Sequence, residues 1–600
     1  MPHAIQTQPQ VDRGLTRRWL MRSADIGGIS SELSRYPAIV QRVFTARGLH
    51  SADVLEPLLN PSLTQLHDPS RIPDLDRAAE RLLRALDANE RITIYGDYDV
   101  DGITAAATLF HTLRALKPDI DPSLVQTYLP HRVDEGYGIN AEALTQIREQ
   151  GTDVVVSVDC GITAVAEAEH ARSLGLDLII TDHHNPPATL DEMPRAFAVV
   201  HPRRPDSDYP FGELCGAGVA FKLAWRLCTM RCGTDKVTDE LRTLLVELLA
   251  LTALGTIADI VPLVDENRAI AHFGLRRVKH STFAGLRALV EASGLSRETV
   301  DEEHAGFAIG PRLNAAGRMG HAAEALELLT TATGDRATQI AKELTRVNDQ
   351  RRREQQRIEQ HARELVIEHN LADDQSRAIV LAHPDWHPGI IGIVCSRLVE
   401  TFGRPTILMH QREDGMCAGS GRSIAGYNLH AGLCACANIL DTFGGHDMAA
   451  GMKVNTDKFE AFRDVFLQHA SDNIALDQLT PAIEIDCSAT LAELTSHTVN
   501  QLLQLRPFGA HNPRVRILLE QVRVAGEPSR FGADGKHLRV NLRPADDSRH
   551  AMTIVGWNWG DHWQHFAPGH LIDAVIEPKI STWGGRSRIE PELCDVRVIG

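Results

Sequence analysis

The stretch Arg91-Ile-Thr-Ile-Tyr-Gly-Asp97-Tyr-Asp99-Val-Asp101-Gly102 sets three carboxylates within five residues, directly after a short apolar run. Ile92 and Ile94 read as a buried strand, and residues 103–116 as the helix that Gly102 opens. Asp97, Asp99 and Asp101 then stand at the carboxyl end of a strand, where open α/β sheets bind their ligands. Three like charges so close repel one another unless a cation holds them. Carboxylate oxygens suit a hard divalent ion, Mg²⁺ or Mn²⁺. A turn that only caps the next helix accounts for one aspartate easily and for three poorly.

Three further segments repeat the pattern. Val154-Val-Val-Ser-Val-Asp159-Cys-Gly161 is an apolar strand ending in Asp, and Leu178-Ile-Ile-Thr-Asp182-His183-His184-Asn-Pro186 is another ending in Asp-His-His. Leu251-Thr-Ala-Leu-Gly-Thr-Ile-Ala-Asp259-Ile-Val-Pro262 supplies one more aspartate after an apolar run, read here as a further strand end. Any one of these could be a helix cap or a solvated turn. Together, in strands that alternate with helices, they predict a doubly wound, mostly parallel sheet whose ends converge on one edge. Two metals sharing a carboxylate at that edge would suit hydrolysis at phosphorus.

In this order, Asp-x-Asp-x-Asp-Gly, Val-Asp-Cys-Gly, Asp-His-His and Gly-Thr-Ile-Ala-Asp resemble the DHH phosphoesterase superfamily. Gly310-Pro-Arg312-Leu-Asn314-Ala-Ala-Gly-Arg318 resembles a segment of its RecJ family of single-strand-specific 5′→3′ DNA exonucleases. Gly419-Ser-Gly421-Arg422-Ser423 and Phe443-Gly-Gly-His446-Asp-Met-Ala-Ala-Gly451 resemble the DHHA1 substrate-binding module. Leu505-Arg-Pro507-Phe-Gly509-Ala-His-Asn512-Pro513 resembles the approach to the family's C-terminal OB-type domain, with Ala510-His511 where a Gly before Asn is expected.

The resemblance implies Asp97, Asp99, Asp101, Asp159, His183 and Asp259 as ligands of two Mn²⁺ or Mg²⁺ ions, with Asp159 the bridge and Asp99 and Asp101 favoured as direct ligands. His184 would contact the scissile phosphate or protonate the leaving oxygen, oriented by Asp182. Arg312, Asn314 and Arg318 would hold the backbone or a terminal phosphate, and Arg422, Ser423 and His446 would hold the strand across a cleft between two lobes. Many superfamily members carry a His four residues before the second aspartate of the trio. Here it is Tyr95, which implies a weaker metal site relying on water or Asp97. The implied activity releases 5′-mononucleotides from single-stranded DNA in recombination and repair, with single-strand-binding protein and an unwinding helicase as partners. The rivals are a DHH enzyme for short oligonucleotides or cyclic dinucleotides, against which the residues after 480 argue, and a non-catalytic DNA-binding scaffold.

Six hundred residues at 43% hydrophobic suffice for several cores. No long uninterrupted apolar stretch suggests a membrane span, and the first residues lack a signal-peptide core. The ten cysteines form no CxxC pair, so a reducing cytoplasm is expected. A monomer meets every requirement. The net charge of −17 does not forbid a local basic groove, because metals would neutralise several aspartates.

The expected organisation is a polar lead-in (1–75) in which Trp19 packs on the body, and a DHH catalytic domain (76–332) with an Arg312-Asn314-Arg318 loop. A long, solvated connecting helix (333–372) leads to a second α/β domain (373–475), the DHHA1 module. There the Trp386-His387-Pro388-Gly389 turn opens a helix. A β-rich, OB-like barrel (480–600) closes the chain, with Phe531, Trp557, Trp559, Trp563 and Trp583 as base-stacking or core candidates and Arg539, Lys579, Arg586 and Arg588 nearby.

Overall fold

A computed structural model of the chain describes residues 11–22, 31–132, 135–297, 299–320, 322–546, 551–583 and 586–599. Two compact units emerge, one of residues 60–353 with Pro507–Pro513, the other of 1–59, 354–506 and 514–600.

The first unit is built on five parallel strands, β1 (Ile92–Gly96), β2 (Val125–Tyr128), β3 (Val154–Val158), β4 (Asp177–Thr181) and β5 (Ala198–Val200), in the order β2-β1-β3-β4-β5. Every residue of β1 and β3 is buried, as expected for strands covered on both faces by crossover helices. The order reverses between β1 and β3, so the segments following these two strands flank a topological switch point.

Three helices carry the rest of the site. Helix α1 (Val100–Leu116) is buried along most of its first ten residues, and Asp99 caps it by accepting from the Asp101 and Gly102 amides at 2.9 and 3.1 Å. Helix α2 (Gly216–Cys232) and helix α3 (Asp239–Ala258) pack against it. By length and composition α3 could cross a membrane, contrary to the sequence expectation, but its second half, from Glu247 to Thr256, is buried in this core.

Two local expectations change. Asp259 does not end a strand; it caps the C-terminus of α3. An apolar run of this length is ambiguous between a strand and a buried helix. Arg312, Asn314 and Arg318 lie not on a loop but on helix α4 (Gly310–Met319), entered through a π-turn at Ala305–Ile309. Gly and Pro at its start mark a helix N-terminus here rather than a break.

The chain leaves the first unit within helix α5 (Gly334–Glu368), whose 35 residues carry the ion pairs Glu343–Arg346 and Glu354–Arg357 at 2.7 and 2.6 Å and Glu359–Arg363 at 2.8 Å. Charged pairs three and four apart mark a solvated face.

In the second unit, β6 (Ile379–His383), β7 (Thr406–Gln411), β8 (Met416–Arg422), β9 (Thr442–Gly445) and β10 (Ala449–Asn455) form a mixed sheet in the order β9-β10-β8-β7-β6. A five-stranded barrel follows, from β11 (Ile517–Val524), β12 (His537–Pro544), β13 (Met552–Gly556), β14 (Leu571–Glu577) and β15 (Glu592–Val598). It runs β11-β14-β15-β13-β12 and closes where β12 pairs with β11. Part of the N-terminal segment belongs to this unit: Arg18–Met21 pairs in parallel with Ala482–Ile485, and Trp19, 1% exposed, donates from Nε1 to Asp595 at 2.7 Å.

Candidate metal centre

The backbone brings six acidic and imidazole groups to the switch point. Asp159, just past β3, sits at φ +62°, a left-handed conformation that Asp tolerates better than most residues. Its carboxylate packs against the start of α2 so closely that a Cβ on Gly216 would lie 2.5 Å from Asp159 Cβ and 2.7 Å from Oδ1. Asp101, 1% exposed, accepts from the Gly216 and Ala217 amides at 2.6 and 2.9 Å. The N-terminus of α2 thus fixes one carboxylate and leaves room for another.

His183 Nε2 lies 3.1 Å from Asp159 Oδ1, 3.6 Å from Asp259 Oδ2 and 3.8 Å from Asp101 Oδ2. Potential ligand atoms of three trios approach within 4.8 Å of one another: Asp97, Asp99 and Asp159; Asp101, His183 and Asp259; and Asp159, His183 and His184. Tyr95 offers nothing to the first trio. Its ring stacks on Tyr128 at 5.1 Å and its hydroxyl donates to the Gly138 carbonyl at 3.1 Å. That trio is therefore all carboxylate.

The electrostatics call for a cation. Burial, then the neighbouring Asp99, pushes the Asp97 carboxyl well up; burial, then Asp101, does the same to Asp159. Asp259 is pushed up to about 8, by burial and then by Asp101. Burial brings His183 down to about 4 despite the carboxylates around it, so its imidazole is neutral and able to ligate. Asp97 Oδ1, Asp159 Oδ1 and His183 Nε2 are buried without a hydrogen-bond partner. Unsatisfied buried polar atoms are rare in folded proteins, and divalent ions held by these oxygens and this nitrogen would satisfy all three. The residues fit Mg²⁺ or Mn²⁺.

Asp182 organises the Asp-His-His turn. One oxygen accepts from the Ile162 amide at 2.9 Å; the other accepts from the His183 and His184 amides and from His184 Nδ1 at 2.8 Å. Burial opposes its ionisation, but the His184 hydrogen bond prevails and holds it down at about 2. For His184, burial opposes the charged form, and Asp182 outweighs it and raises the imidazole to about 9. The Tyr137 hydroxyl, 3.0 Å from His184 Nδ1, was not picked out from the sequence. Its signal is an aromatic between Gly136 and Gly138, both at positive φ.

The expected phosphate-binding residues differ among themselves. Asn314 Oδ1 accepts from the Val100 amide at 3.1 Å, so it secures the start of α1 beside the aspartate trio. Arg312, half-buried, donates to the Ala308 carbonyl at 2.6 Å and to Thr345 Oγ1 at 3.2 Å. Arg318 follows on the same helix. In the second unit, Ser423 is 4% exposed and its hydroxyl donates to the Tyr427 carbonyl at 2.8 Å, a turn-forming bond rather than an outward donor. Arg422 Nη1 donates to the Gly421 carbonyl at 2.7 Å, and His446 is exposed.

In the barrel, Trp559 is 7% exposed and packs on Phe566, whereas Trp557 and Trp563 are 49% and 47% exposed. Trp557 meets Phe531 and His537 edge-on at 5.7 and 4.8 Å, and the Arg539 guanidinium lies over Phe531. Lys579 and Arg588 are paired with Glu592 and Glu590. The side chains of Trp583 and Arg586 lie outside the described residues.

Comparison with known proteins places this geometry in a family. The DHH family N-terminal domain matches residues 91–256, the DHHA1 domain 375–472 and the RecJ OB domain 485–595. The single-stranded-DNA-specific exonuclease RecJ of Bacillus subtilis is 36% identical over 97% of this chain and 71% of its own length. That of Escherichia coli is 33% identical over 88% and 90% respectively. The crystal structure of RecJ in complex with Mn²⁺ from Thermus thermophilus superposes with a TM-score of 0.79 at 30% identity, covering 96% of this chain and 79% of that one. With all three of its domains matched in order, the chain belongs to the RecJ family of DHH-superfamily exonucleases.

Proposed function

We propose that this chain is a metal-dependent, single-stranded-DNA-specific exonuclease that works 5′→3′ and releases 5′-mononucleotides in DNA recombination and repair. The observation that carries the reading is the set of buried, unpartnered atoms, Asp97 Oδ1, Asp159 Oδ1 and His183 Nε2, converging at the sheet's switch point in a chain whose relatives are single-stranded-DNA-specific exonucleases.

Asp97, Asp99 and Asp159 would hold one divalent ion, and Asp101, Asp159, His183 and Asp259 the other, with Asp159 shared. Bound there, the pair supplies Lewis-acid stabilisation of phosphate charge and lowers the pKa of a water. The protein's own part is positional. The amides of α2 orient Asp101, and Asn314 and Asp99 fix the first turn of α1. Asp182 locks His184 through Nδ1, leaving Nε2 to meet a phosphate oxygen or give a proton to the leaving oxygen. Arg312 and Arg318 on α4, and Arg422 and His446 in the second unit, would serve the DNA backbone. Asn314 and Ser423 act through the backbone they hold. The exposed Trp557, with Phe531 and Arg539, suits base stacking. Single-strand-binding protein and a helicase are the expected partners of a monomer working in the cytoplasm.

The test is Mn²⁺-dependent digestion of strands labelled separately at each end, with duplex controls. Early release of the 5′ label as mononucleotide, from single strands only, is expected. Turnover of dinucleotides with no release from long strands would contradict it.

A further inference from the structure

The catalytic unit ends with a segment from far along the chain. Pro507–Pro513 folds as a tight turn in which Gly509 and Asn512 exchange backbone hydrogen bonds at 2.9 and 3.1 Å, and Asn512 Nδ2 donates to the Pro507 carbonyl at 2.8 Å. This turn is fixed to the unit at several points. The Leu263 amide donates to the Ala510 carbonyl at 2.9 Å, and the Phe508 amide donates to Glu302 at 3.2 Å. Gly509 lies so close to Leu263 that a Cβ would sit 2.7 Å from its Cδ1.

Leu263 belongs to the loop that starts at Asp259, and that loop is strained. Ile260 has φ +60° with its side chain 73% exposed, and Asp265, at the far end, has φ +47°. A β-branched residue in the left-handed region is a real outlier. Such a conformation persists only where its surroundings over-determine it, and the exposed Ile260 gains little from packing. Restraint comes from further along, where Asn267 Nδ2 holds the Pro262 carbonyl at 3.1 Å and the turn holds Leu263.

We infer that the Pro507–Pro513 turn is a positioning element of the metal centre: by pinning Leu263 it keeps loop 259–264 strained and Asp259 beside His183. The inference rests on the reading of Asp259 as a metal ligand. None of the turn's residues belongs to the ligand set; they act through the loop.

The test measures Mn²⁺ binding to the full chain without DNA, by electron paramagnetic resonance of the free ion, with thermal unfolding recorded in chelator. Unaltered protein is compared with Gly509→Val, which drives a side chain into Leu263, and with Gly509→Val plus Leu263→Ala, which makes room for it. Gly509→Val is expected to weaken one of the two ions about tenfold, as loss of a ligand's support does, while the other ion binds as before; the overpacking also lowers stability in chelator, and both effects recover in part in the pair. Unchanged affinity, or equal weakening of both ions, would overturn the inference. If Gly509→Val does not fold, Asn512→Ala, which opens the turn without a clash, must show the loss; unaltered affinity there overturns it equally. Failure of the unaltered protein to bind Mn²⁺ would remove the metal reading and this inference together, whereas normal binding in every variant removes this inference alone.

Discussion

Asp159 Oδ1 faces His183 Nε2 at 3.1 Å, yet neither buried atom makes a hydrogen bond. Two polar atoms so close and so poorly satisfied mark a place organised around something else. The carboxylates on either side, all raised by burial and mutual repulsion, identify it as positive charge.

Asp159→Asn tests the shared carboxylate with little backbone penalty, because Asn also tolerates the φ of +62°. The substitution should reduce exonuclease turnover by about three orders of magnitude, in line with loss of a principal electrostatic group. In chelator it should unfold at a higher temperature than the unaltered protein, since one repelling charge is gone. Turnover assays and calorimetry in chelator check both.

Metal addition should stabilise the fold. At a hundred times its dissociation constant, one bound ion adds about 2.7 kcal/mol. Thermal unfolding monitored with increasing Mn²⁺ should therefore rise, and the rise should vanish in Asp159→Asn.

Gly216→Ala touches no candidate ligand by replacement, but its methyl would lie 2.7 Å from Asp159 Oδ1. Overpacking of this kind costs about 1–3 kcal/mol. Denaturant melts should show that loss, and Mn²⁺ titration should show weakened binding.

Lys222 and Glu266 form an ion pair with both side chains fully buried, and Tyr209 donates to the same carboxylate at 2.5 Å. Lys222→Met leaves that charge uncompensated, which costs about 3–5 kcal/mol. Urea unfolding should record this loss, and Lys222→Met with Glu266→Leu should recover much of it.

The barrel tryptophans should separate by role. Trp557→Ala should weaken binding of single strands by about 1–3 kcal/mol, the range for a stacked base. Trp559→Ala should instead destabilise the barrel, by about 3–5 kcal/mol for a large core residue. Fluorescence anisotropy with labelled strands, alongside unfolding curves, distinguishes the two.

The parallel sheet and the convergence of Asp97, Asp99, Asp101, Asp159 and His183 were legible because strand alternation and strand-end acids are local signals, and parallel order turns them into one edge. Asp259 was legible as a residue but not as a helix cap, because a short buried apolar run has no distinguishing period. The roles of Asn314 and Ser423 were not legible, since each depends on which backbone amide or carbonyl lies opposite. Nor was the pairing of Arg18–Met21 with Ala482–Ile485, a contact between segments more than four hundred residues apart.

The most direct measurement is anomalous diffraction at the manganese edge from crystals soaked in Mn²⁺. Two peaks should flank the Asp159 carboxylate, one beside Asp97 and Asp99 and one beside His183 and Asp259. No peak at these residues, or manganese bound only elsewhere, would contradict it.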